Sequence, residues 1–200
     1  MHRRDVLRML AAGAGLRCLD GLGAEEIIRF GELLHASAAE GRGVRSALNA
    51  HQSAAVTAAA ERILPASDTP GATDANVTAF IDRMLADWYT PAERDRLLAG
   101  LTDLDARSRA LRGRDFVALS EADQVALLTA IDDEVTALWR APSPAAGNAN
   151  DHWFSMLKFL TVWGYFTSEV AMRRTLGEYP LPGRYVSCAS YDPRARSGRS

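Results

Sequence analysis

The residues of this 200-residue chain that could do chemistry are four histidines, two cysteines and 25 carboxylates. His2, His35, His51 and His152 form neither HExxH nor any i, i+4 pair. The spacing that gathers zinc ligands on one helix face is therefore missing. Cys18 and Cys188 match no CxxC or CxxCH pattern, which removes the usual signals of zinc ribbons, thioredoxin chemistry and covalent c-type haem. Asp132, Asp133 and Glu134 run consecutively and read as a solvated helix face rather than an acid/base site. Asp103 and Asp105, two apart, cannot share a helix face well. The stretch "GLGAEE" starts like GxGxxG but lacks its last glycine and a preceding strand. There is no GxSxG and no Walker motif, and nothing orders Ser, His and Asp into a triad. These residue types predict no catalytic residue, no metal site and no cofactor held by this chain.

The elements that must position whatever function exists are helical. Hydrophobic content of 48% with 24% charged residues reads as globular, and a net charge of −2 gives no global pull toward nucleic acid. Apolar residues recur at helical spacing over 24–39, 50–64 and 77–89. In the third of these, Val77, Phe80, Ile81, Met84, Leu85 and Trp88 face inward. "TPAE" is a capping box, with Thr90 as cap, Pro91 at the first helical position and Glu93 closing it. The helix it opens runs to about Leu111, with Leu97, Leu98, Leu101, Leu104 and Ala110 inward. "SEAD" at 120–123 starts a helix carrying Val125, Leu127, Leu128, Ile131, Val135, Leu138 and Trp139. A Pro/Gly/Asn linker follows at 140–150. Asn150 or Asp151 then caps a long helix to about Leu176, stopped by Gly177. The tail is extended and rich in tyrosine and proline. The expected architecture is all-α: a single helical bundle over 25–178, a signal-like helix over 1–24 and an extended tail over 179–200.

The last helix is unusual. "WFSMLKFLTVWGYFTSE" holds two of the four Trp and three of the six Phe, with Lys158 as its one charge before Glu169. It is too short to span a bilayer, and a helix apolar all round must be covered all round. Two covers are open, the chain's own bundle or another protein. The density of large aromatics favours an interface.

The N-terminus reads as an export signal. Arg3-Arg4, then Val6-Leu7 and an apolar stretch from Met9 to Leu16, follow the spacing of a twin-arginine signal. The apolar stretch is short, closed early by Arg8 and Arg17, and the cleavage context ending at Ala24 is poor. No run of 18 apolar residues exists, so no ordinary membrane span is expected.

The segments "ERILPASDTPGATDANVTAFID" (61–82), "GYFTSE" (164–169) and "PLPGRYVSC" (180–188) resemble the gluconate 2-dehydrogenase subunit 3 family, with a likeness running from about Ala50 to Cys188. The resemblance implies a small, non-catalytic subunit of an FAD-dependent sugar or polyol dehydrogenase of the glucose–methanol–choline type. It implies that FAD resides in the large subunit, and that a multihaem cytochrome c joins some complexes. It further implies that the small subunit's signal carries the folded pair through the twin-arginine translocase to the periplasm, with membrane association through a partner. On that reading Trp153, Phe154, Phe159, Trp163, Tyr165, Phe166, Thr167, Glu169, Pro182, Arg184 and Tyr185 contact the large subunit. Gly164 admits a neighbouring backbone. Cys188 has three open fates: a bond to the large subunit, which is favoured, a bond to Cys18 in a retained signal, or a free thiol.

Two rivals follow from the residues alone. One is a stand-alone helical enzyme or ligand-binding protein with an aromatic pocket. The other is a cytoplasmic maturation chaperone in which Arg3-Arg4 is coincidence.

Overall fold

The computed structural model describes residues 46–140 and 148–176, together with residues 29 and 32. The expected signal, most of the helix expected over 24–39, most of the linker and the tail lie outside the described residues.

Among the described residues the chain is helical, with no strand. Helix α1 spans Ala50–Ile63 and begins with a reciprocal cap: Asn49 accepts from the Gln52 N–H, and the Gln52 side chain accepts from the Asn49 N–H, both at 2.9 Å. It buries Ala55, Val56, Ala59 and Ala60, small side chains that let neighbours approach closely. Helix α2 spans Val77–Asp87 and buries Val77, Phe80, Ile81, Met84 and Leu85. It follows Asn76, which sits at φ 52, a left-handed conformation that asparagine tolerates better than most side chains. Helix α3, Pro91–Arg112, uses the expected Thr90–Glu93 box and stops at Gly113, φ 68. A 3-10 turn at Phe116–Ala118 leads to helix α4, Glu121–Arg140. There the Ser120 hydroxyl accepts from the Asp123 N–H at 3.2 Å. A second 3-10 turn, Ala149–Asp151, precedes helix α5, Trp153–Phe166.

Helix α5 is the hub. It packs against α1, α2, α3 and α4 alike. Two glycines make this possible. A Cβ on Gly100 of α3 would fall inside the Trp153 side chain, and one on Gly164 of α5 would lie 2.7 Å from the Phe80 ring. Gly164 thus admits an aromatic ring of α2, where a neighbouring backbone was expected.

Three further expectations are corrected. His152, not Asn150 or Asp151, caps α5, its Nδ1 accepting from the Phe154 N–H at 3.2 Å. The helix does not run unbroken to Leu176 but ends at Phe166. The Thr167 hydroxyl donates to the Trp163 carbonyl at 2.8 Å, and the Ser168 hydroxyl donates to the Tyr165 carbonyl at 2.6 Å. Side chains thus take up the last carbonyls, and the chain resumes as a π-helical turn over Ala171–Leu176. Finally, Trp88, Ala110, Val125 and Trp139 point outward rather than into the core. They lie at the ends or edges of the apolar stripes, where a helix turns away from its neighbours.

Candidate interaction surface

The aromatic helix answers first. Trp153, Phe154, Phe159, Trp163 and Tyr165 are all buried, none more than 8% exposed. Leu157 and Leu160 are wholly enclosed. Phe80 meets Trp163 edge-on with ring centroids 5.3 Å apart, and Phe159 tilts against the same indole at 5.6 Å. Its one charge, Lys158, reaches Asp132 of α4 at 2.7 Å. The expectation that α5 offers an aromatic face outward is therefore corrected. The helix is apolar all round because bundle surrounds it. Thr167 is buried as well, while Phe166 is half-buried. Glu169 is exposed and pairs with Arg173 at 2.9 Å. Arg3, Arg4, Val6, Leu7, Pro182, Arg184, Tyr185, Cys18 and Cys188 lie outside the described residues.

What the motif segments build together is an anchored loop. Residues 65–68 are exposed, yet their base is held firmly. Glu61 at the end of α1 reaches across it. One oxygen accepts from the Ala66 N–H at 3.0 Å, and the other accepts from the Thr73 N–H at 2.9 Å and the Thr73 hydroxyl at 2.6 Å. Burial alone would raise the Glu61 pKa. The hydrogen bonds from Thr73 and Ala66 outweigh it and hold the carboxyl below its ordinary value. Gly71 leaves the room this needs, since a Cβ there would lie 2.7 Å from the Ala66 nitrogen. From α5, the Tyr165 hydroxyl donates to the Pro70 carbonyl at 2.7 Å and also meets the Thr175 hydroxyl at 2.7 Å. Glu61 and Tyr165 sit in the segments singled out in the sequence, but only the fold shows that they clamp one loop from two sides.

A second polar constellation escaped the sequence reading. Asp105 is buried on the inner side of α3. Its Oδ1 accepts from the Phe116 N–H at 2.9 Å and its Oδ2 meets His51 Nε2 at 2.5 Å. The hydrogen bond and charge of Asp105 raise the His51 pKa above its ordinary 6.5. Gln124 of α4 donates to the Phe116 carbonyl at 3.1 Å. A carboxylate that orients an imidazole is half of a nucleophilic triad. Among the described residues, however, His51 makes no hydrogen bond to a hydroxyl or thiol, and no three His, Cys, Asp or Glu residues could hold a metal ion. The pair instead ties α1, α3 and the 3-10 turn together. Asp103, two residues away, faces out to Arg107 at 2.7 Å, as the spacing predicts.

The family model described as gluconate 2-dehydrogenase subunit 3 matches residues 50–183, more than half of the chain. The chain belongs to this family. No curated protein and no solved structure matches it. The family's matched span covers every described helix, the Glu61 loop and the Tyr165 clamp. The family name is that of one component of a multi-subunit dehydrogenase. Among the described residues no helix is long and apolar enough to cross a membrane.

Proposed function

We propose that this chain is the small, non-catalytic subunit of a periplasmic FAD-dependent sugar or polyol dehydrogenase. It binds and stabilises a flavoprotein large subunit, which owns the FAD, and carries it through the twin-arginine route. The observation that supports this is membership of the subunit 3 family over residues 50–183. The arginine pair Arg3-Arg4 with Val6-Leu7 supports the export step. The constellations described, His51–Asp105 and the Glu61 loop, are accounted for as parts of a scaffold.

The test is to change Arg3 and Arg4 together to lysine and fractionate cells that co-express the flavoprotein. Both proteins, and the dehydrogenase activity, are expected to leave the periplasmic fraction together. Periplasmic flavoprotein at unchanged yield would show that it does not travel with this chain.

A further inference from the structure

The first turn of α5 is closed by a side chain that changes charge near neutral pH. His152 ends the 3-10 turn and opens the helix at once. Its N–H donates to the Ala149 carbonyl at 3.2 Å, and its carbonyl accepts from the Met156 N–H at 3.3 Å. Its ring Nδ1 accepts from the Phe154 N–H at 3.2 Å. The caps of α1, α3 and α4 are side-chain oxygens of Asn49, Thr90 and Ser120, which do not titrate. The cap of α5 is instead a nitrogen that a proton can occupy, on the side chain that takes one up nearest neutrality.

The surroundings offer the protonated ring a second seat. The neutral ring stacks on Trp153, with centroids 5.9 Å apart and 30° between planes. Burial lowers its pKa; Glu134 of α4 opposes this, Arg107 of α3 adds to it and Asp103 of α3 opposes it. Arg107 bridges the two acids, at 2.7 Å to Asp103 and 2.6 Å to Glu134, so one guanidinium serves two carboxylates. Other charges on these elements are matched: Asp151 meets Arg96 at 3.3 Å and Asp132 meets Lys158 at 2.7 Å.

The turn before α5 is lightly held. The Ser155 hydroxyl donates to the Ala149 carbonyl at 2.7 Å, and the Asn148 side chain accepts from the Asn150 N–H at 3.0 Å. The Asn150 Oδ1, however, is buried and finds no donor among the described residues. Deeper in the helix, Leu157 and Leu160 are wholly enclosed.

We propose that His152 is a two-position acid switch. Neutral, it caps α5. Protonated, it cannot accept from the Phe154 N–H, turns toward Glu134 and Asp103, and releases the first turn of α5 with the 3-10 turn before it. A cation at the positive end of the helix dipole favours the same movement. The enclosed middle of α5 keeps the opening local. The switch is a property of the folded chain, whatever its partner.

The test is heteronuclear NMR on the full chain. As pH falls from about 8 to about 5, the His152 ring nitrogens should titrate. Phe154 amide exchange, corrected for its intrinsic pH dependence, should rise about fivefold or more with the same midpoint. Amides in the middle of α1 and α4 should keep their protection. His152→Asn retains a cap that does not titrate and should remove the midpoint at Phe154. Glu134→Gln removes a carboxylate that favours the cation and should move the midpoint to lower pH. A ring titration that leaves Phe154 unchanged overturns the switch. So does protection lost at the same pH in every helix, which is global unfolding. An unmoved midpoint in Glu134→Gln overturns the second seat. Should either variant not fold, the comparison of Phe154 with α1 and α4 in the unaltered chain still decides.

Discussion

Two histidines at helix starts titrate in opposite senses. His51 gains a partner in Asp105, which raises its folded pKa above 6.5. Its contribution to stability is therefore fully present below about pH 6.5 and is lost as pH rises through the raised value. His152 is the reverse. Burial lowers its pKa, and its Nδ1 must stay unprotonated to accept the Phe154 N–H. Its contribution is present above about pH 6.5 and is lost as pH falls through the lowered value. His51→Ala should accordingly cost more stability at pH 6 than at pH 9. His152→Asn keeps a side-chain acceptor for the cap, and should flatten the loss of stability on acidification below neutrality. Urea unfolding midpoints across pH 5–9 check both. Equal penalties at all pH values would sink the assignment.

At the scale of elements, helix contact is set by two missing side chains. Alanine in place of a helical glycine ordinarily adds about 1 kcal/mol of stability. At Gly100 and Gly164 the added methyl group meets the Trp153 and Phe80 side chains, both locked in the core. Overpacking of this kind costs about 1–3 kcal/mol, so Gly100→Ala and Gly164→Ala should both lower the thermal midpoint. Gly113 offers a contrast. A Cβ there meets nothing within 4 Å, and any penalty of Gly113→Ala comes from its φ of 68 alone. Stabilisation by Gly100→Ala would show that α3 and α5 sit further apart than described.

For the whole molecule, the decisive fact is that α5 is the axis of its own bundle. A carboxylate at position 163 would be enclosed by Phe80 and Phe159. Buried, unpaired charge is among the few changes that exceed about 4 kcal/mol. Trp163→Asp should therefore abolish cooperative unfolding of the isolated chain, with no partner present. Glu169→Ala, on the surface, should leave the melt unchanged. Circular dichroism melts separate the two. A folded Trp163→Asp monomer that had merely lost its partner would restore the docking role first expected for this helix.

The sequence by itself determined where most of the described helices start and stop, α5 apart, because caps and turns are local. Thr90-Pro91-Glu93, Ser120-Asp123 and the Pro65–Gly71 break each act through atoms a few residues away. It also determined the family, since the ordered segments from Glu61 to Cys188 lie along the chain in plain order. Three things waited for the tertiary structure. The Ser168 and Thr167 hydroxyls ended α5 early, which depends on rotamers that composition does not report. Asp105 proved to be the inner, paired acid only once His51 and Phe116 were brought to it across 54 and 11 residues. And the shelter of α5 turned out to be its own bundle. Apolar patterning records that a side chain avoids water, whereas which surface excludes that water is a property of how all the helices meet.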